Sequence, residues 1–156
     1  MNTLLRTVFA AAAASVMMIA AAGGDPVMGT WQLDASKSTF TAGPALKSQT
    51  RTYSQAGPSI SLVMRSVGPD GKESTAKTAY QLDGKDYPVT GTADYDSLSG
   101  KQVDSHTAEF TLKKGGKKIG RVIRTVSADG RTLTSKMTTT LASGEKTDQT
   151  LVFNKK

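Results

Sequence analysis

The sequence predicts an all-β domain, a single antiparallel up-and-down barrel of roughly nine or ten strands without long helices. Three observations carry that prediction. Beyond residue 28 no stretch places apolar residues at i, i+3, i+4 and i+7, so no amphipathic helix is encoded there. Threonine and serine alternate instead with Val, Leu, Ile, Met and aromatic residues, the period-two signature of strands with one buried and one wet face. Asp70-Gly71, Asp83-Gly84, Gly115-Gly116, Asp129-Gly130 and Ser143-Gly144 interrupt the alternation with pairs that accept the positive φ angles of tight hairpins.

Before the barrel comes a different kind of segment. Met1 to Arg6 carry one positive charge, and Val8 to Ala22 form an apolar, small-residue run broken only by Ser15 and ending in Ala20-Ala21-Ala22. That pattern predicts a signal peptide over residues 1–22, cleaved after Ala22, because small residues at −3 and −1 suit a signal peptidase groove. The run is about 15 residues long, short of the ~20 that span a hydrocarbon core, so no transmembrane segment is expected in the mature protein. Residues 23–27 are expected as a short N-terminal extension and 28–156 as the barrel. With no cysteine, the chain has neither disulfides nor a thiol for lipid attachment. The expectation is a soluble exported protein, periplasmic or secreted, and the short alanine-rich leader has a bacterial style.

Strands are expected near 28–34, 48–56, 59–68, 73–82, 85–90, 95–104, 107–114, 117–127, 131–141 and 146–154. Leu133, Met137 and Leu141 share a face with Ser135 and Thr139, against Thr132, Thr134, Lys136, Thr138 and Thr140. Ile60, Leu62 and Met64 alternate with Ser59 and Ser61, and Ala108, Phe110 and Leu112 with Thr107, Glu109 and Thr111. Strand twist accumulates over so many consecutive hairpins, and two free edges would invite pairing with other chains, so the sheet is expected to close. Ala35 to Leu46, with Gly43-Pro44, breaks the rhythm and reads as a crossing loop or lid, with room for a single helical turn capped by Asp34 or Ser36. Asp-Gly-Lys/Arg recurs at 70–72, 83–85 and 129–131 as hairpin chemistry without any fixed-period repeat.

Composition narrows function mainly by exclusion. The formal charge of +7 becomes about +6 once Arg6 is removed with the leader. This basicity lacks interleaved aromatics or a recognition helix, so nucleic acid is not expected as a partner. The single histidine, His106, sits in a turn, and without cysteine or a second histidine no metal site, cofactor or catalytic residue is expected, and the protein is not read as an enzyme. Arginines inside strands carry more information. Arg51 shares a face with Tyr53, Arg65 with Val63 and Val67, Arg121 with Ile119 and Ile123, and Arg124 with Val122 and Val126. The spacing of 121 and 124 sends those two to opposite faces. An inward guanidinium in an apolar interior calls for an anion, and a carboxylate headgroup meets it with two parallel hydrogen bonds. The candidate ligand-binding residues are Arg51, Tyr53, Arg65, Tyr80, Tyr87, Arg121 and Arg124, with Tyr95 and Phe110 as further pocket-lining aromatics.

Gly29-Thr30-Trp31, opening the first strand of such a barrel, resembles the Gly-x-Trp start of lipocalins and fatty-acid-binding proteins, the calycins. The run Gly29 to Phe40, with Asp83 to Gly91 and Ser127 to Thr134, is similar to small exported bacterial lipocalin-like proteins, and the likeness spans most of the mature chain. Thr92-Ala93-Asp94-Tyr95 only loosely echoes the lipocalin Thr-Asp-Tyr motif, and Asp34 to Leu46 is too short for the paired lid helices of fatty-acid-binding proteins. The resemblance implies an internal cavity, with Gly29 and Trp31 closing one end and Trp31 packed under a basic side chain of a late strand, Arg121 or Arg124.

The resulting expectation is an exported barrel that binds a small hydrophobic or amphipathic ligand in its interior. The alternative is a non-enzymatic envelope interaction protein whose barrel is filled and whose basic surface binds a polyanion or a protein partner.

Overall fold

The computed structural model describes residues 24–41, 45–140 and 143–156. The expected signal peptide, residues 1–22, lies outside them, as does Leu141. The strands are β1 (Gly29–Leu33), β2 (Thr39–Phe40), β3 (Ser48–Ala56), β4 (Ser59–Val67), β5 (Glu73–Tyr80), β6 (Asp83–Thr90), β7 (Ser97–Gln102), β8 (Thr107–Lys114), β9 (Lys117–Val126), β10 (Thr132–Thr140) and β11 (Lys146–Lys155). From β3 to β11 each strand pairs antiparallel with the next. β1 pairs with both β3 and β11, which closes an up-and-down barrel of ten strands, all but β2. No helix among the described residues is long and apolar enough to cross a membrane.

Local chemistry sets the corners. Gly115 and Gly116 both take positive φ, 55° and 76°, which matches the two-residue turn whose twist suits a hairpin. At Asp70 and Asp129 the carboxylate accepts the backbone N–H two residues on, from Lys72 at 3.1 Å and Arg131 at 3.0 Å, and so fixes the turn. Asp83-Gly84 departs from expectation. It lies inside β6, where Gly84 at φ 78° accompanies a register shift between Asp83 and Asp86, so this pair makes a bulge instead of a corner. Of the expected loop from Ala35 to Leu46, Gly43-Pro44 lies outside the described residues, and the part before it carries the allowed turn and a short strand. A 3-10 turn, Ala35–Lys37, follows Asp34, and β2 then pairs on β11 through Phe40–Gln149 and Thr39–Thr150. β1 and β2 thus act as one interrupted strand along β11.

Alternation places Ile60, Leu62 and Met64 of β4, Ala108, Phe110 and Leu112 of β8, and Leu151 and Phe153 of β11 inside. Corners at Gly57-Pro58, Gln81-Leu82, 103–106 and 127–131 gather at the end where β1 begins, which we call the floor. Corners at 68–72, 91–96, 115–116 and 143–145 gather at the opposite end, the mouth. The wall is thinnest between β5 and β6, which meet only through Lys77–Thr90 and Thr78–Val89.

Candidate functional site

The floor is packed like a protein core. Val27, Trp31, Leu133 and Phe153 have no exposed surface, and Tyr80 and Val126 are nearly as deeply buried. Residues 25–28 form a turn in which Met28 N–H donates to the Asp25 carbonyl and Val27 N–H to Asp25 Oδ1, both at 3.0 Å. The indole Nε1–H of Trp31 donates to the Val27 carbonyl at 2.7 Å, tying that turn beneath the barrel. The cation over the indole is Lys155, whose Nζ lies 5.1 Å from the ring, and this corrects the expected Arg121 or Arg124. The reason is register: Trp31 lies opposite Lys155 across β1 and β11. Gly29 helps, since at φ 119° it has no Cβ, and one placed there would stand 3.1 Å from the Lys155 stem.

Above the floor lies a chamber of about 70 Å³, lined by Tyr53, Leu62, Tyr80, Phe110 and Leu151 among others, and by two arginines, Arg51 and Arg124. Their environments differ. Arg124 is only 3% exposed, donates from Nη1 to the Tyr80 hydroxyl at 2.8 Å and from Nη2 to Asp25 Oδ2 at 3.1 Å, and lies over the rings of Tyr53 and Phe110. Burial alone lowers its affinity for a proton, but Tyr80, Tyr53 and Asp25 outweigh that and hold its pKa above the ordinary value. Burial likewise pushes the Tyr80 hydroxyl far up, so it stays a neutral hydroxyl that accepts from Arg124.

Arg51 has no such counter-ion. Its Nε–H donates to Gln49 Oε1 at 2.8 Å, its guanidinium lies 4.4 Å from the centre of the Phe153 ring, and among the described residues no carboxylate comes within ion-pair distance. Gln49, itself buried, donates to Ser66 Oγ at 2.8 Å, which fixes the amide that orients Arg51. Tyr95, whose hydroxyl is pushed up by burial and partly pulled back by the Arg51 charge, lines both the chamber and a wider bowl at the mouth. That bowl measures about 790 Å³ and is walled by Leu112, Ile119 and Met137, by Thr139, Thr140, Thr147 and Gln149, and by Lys114, Lys117 and Lys118. Leu112 and Met137 also belong to both spaces, so bowl and chamber lie end to end.

Of the predicted candidates, the fold brings Arg51, Tyr53, Tyr80 and Arg124 together on the chamber wall. Arg65 and Arg121 do not point inward. Arg65 follows Met64 in the alternation and is exposed, and Arg121 stands on the outer face in a two-bond pair with Glu109 at 2.6 and 2.8 Å. Tyr87 packs its ring against the core from the bulged β6, but its hydroxyl donates outward to Asp83 Oδ2 at 3.0 Å. Sequence reasoning missed Asp25, Gln49 and Lys155. Gln49 could have been found, because it alternates with Arg51 and Tyr53 on one face. Asp25 gives no such signal, since its partner lies 99 residues away.

No protein-family model and no curated protein matches the chain. Among solved structures it is similar to zebrafish ileal bile acid-binding protein in complex with cholic acid, at 10% identity and a TM-score of 0.48, covering 84% of this chain and 99% of that one. The architecture described above stands on its own strand pairing.

Proposed function

We propose that the protein is an exported carrier that binds a small amphipathic anion, the head entering the chamber against Arg51 and the apolar part lying toward the mouth. One observation carries this reading: Arg51 is a half-buried cation on the chamber wall with no carboxylate at ion-pair distance among the described residues, and the chamber continues into an open bowl. A charge taken from water into such a site needs a partner, and a carboxylate offers the guanidinium fork two parallel acceptors. Size supports a divided placement. Pockets that enclose a whole small ligand usually measure about 300–1,000 Å³, so a 70 Å³ chamber suits a headgroup and the bowl suits the rest. Export draws its support from residues 1–22 of the sequence.

A second reading, contact with an anionic envelope polymer or protein, draws on the β8–β9 hairpin, where Lys113 and Lys114 face Lys118 and Lys117. Calorimetric titration with decanoate, decanol and heparin separates the two. We expect saturable decanoate binding, weaker decanol binding, and a loss of about tenfold or more in decanoate affinity for Arg51→Leu. Equal affinity for acid and alcohol, unchanged by that substitution, would sink the carrier reading, and heparin binding alone would favour the second.

A further inference from the structure

The two chamber arginines differ in one respect that points beyond Arg51. The Arg124 guanidinium has the surroundings of an anion site: it is almost wholly buried, flanked by the Tyr53 and Phe110 rings, and oriented by the Tyr80 hydroxyl. Its Nε–H is buried and finds no acceptor among the described residues, so one edge of the fork remains unused. The carboxylate on it belongs to no barrel strand. Asp25 comes from the turn below the floor, its side chain still 16% exposed, so it reaches inward from the protein surface. The Asp25 carboxylate is divided, Oδ2 meeting Arg124 while Oδ1 holds the Val27 N–H, which prevents a two-bond fork on the guanidinium.

We propose that Arg124 is a second interior carboxylate site, filled by the chain's own Asp25, and that removing the Asp25 charge opens it to a free small carboxylate. Burying an arginine this completely requires a counter-ion, and nothing in the geometry ties that role to a tethered one. A free carboxylate, relieved of the Val27 contact, reaches both Nη2 and the unused Nε edge. The chamber thereby presents a single open cation, Arg51, and the tether keeps small anions from settling on the other.

The test is chemical rescue in the full-length exported protein. Thermal unfolding is followed for wild type, Asp25→Asn and Asp25→Asn/Arg124→Met in sodium acetate and in sodium chloride at matched ionic strength. Asp25→Asn should melt lower than wild type and regain roughly 4 °C or more, saturably, in acetate over chloride. Wild type and the double variant both keep Arg51, so any rise that acetate gives through Arg51 is common to all three proteins, and only Asp25→Asn should exceed it. A rise equal in all three, or none in Asp25→Asn, overturns the proposal. If Asp25→Asn is unfolded without acetate, refolding on acetate addition supports the site and failure to refold counts against it. Adding Arg51→Leu to Asp25→Asn separates this inference from the carrier reading, since the rescue should persist when the decanoate site is gone.

Discussion

The floor and the mouth of this barrel are built from the same alternating strands yet solve opposite problems. At the floor, Val27, Trp31, Val126, Leu133 and Phe153 exclude solvent, and the buried cation is matched by Asp25 and Tyr80. At the mouth, threonines, Gln149, Asp94 and three lysines line an open bowl, and the nearest chamber cation, Arg51, has no counter-ion among the described residues. With 37% hydrophobic and 6% aromatic residues, the chain carries few large apolar side chains. Gathering the largest fully buried ones, Trp31, Tyr80, Phe153, Leu133, Val27 and Val126, toward one end gives that end the packing of a core, while the other end keeps Leu112, Ile119 and Met137 around an open bowl. Stability is therefore expected to reside mostly below, and ligand chemistry above.

The largest test of that division is Trp31→Ala. The indole is fully buried, bonded to Val27 and covered by Lys155, so its removal leaves a cavity and frees the 25–28 turn. A loss of about 3–5 kcal/mol in chemical denaturation is expected. Decanoate affinity, measured where the variant is still folded, should change little because Trp31 does not line the chamber. A loss below about 1 kcal/mol would show that the floor does not carry the stability assigned to it.

Tyr80→Phe sharpens the comparison by removing a single atom. Without the hydroxyl, Arg124 Nη1 loses its acceptor inside a site where water has little access, while the ring and its edge-to-face contact with Phe110 at 5.3 Å remain. The expected cost is about 1–3 kcal/mol, the range for a buried charged donor left unpaired. Urea unfolding measures it, and a neutral result would mean that Arg124 draws its compensation from Asp25 alone.

Much of this division was legible in the sequence, and what was not has a physical reason. Period-two alternation and glycine-containing corners predict the strand series, because pleat geometry and positive φ are local properties. The same alternation sets Arg51 and Arg124 each on a face with apolar or aromatic neighbours, without saying that the face turns inward. Arg65 and Arg121 show the limit: Val63, Val67 and Ile123 beside them are half-buried on the outer surface, Ile119 turns to the bowl at a register shift in β9, and only neighbouring strands reveal which side is the core. The Asp83-Gly84 bulge uses the same dipeptide chemistry as a corner, so composition does not separate the two. Lys155 over Trp31 and Asp25 on Arg124 depend on barrel closure between distant segments, which no local pattern encodes.

The smallest expected effect lies at the mouth and runs in the opposite direction. Lys114 and Lys117 are direct cross-strand partners flanking Gly115-Gly116, both exposed, and like charges so placed repel. Lys117→Glu replaces that repulsion with attraction across the hairpin. Because both side chains are solvated and salt screens them, the gain should be only about 0.2–1 kcal/mol and should shrink as ionic strength rises. The same substitution reverses one of the three lysine charges on the bowl, which also carries Asp94, that a carboxylate ligand passes on its way to Arg51. Decanoate association, followed by stopped-flow at low salt, should therefore slow even as the protein becomes slightly more stable. A variant that loses stability would show that the hairpin lysines serve the fold, placing the mouth under the same rule as the floor.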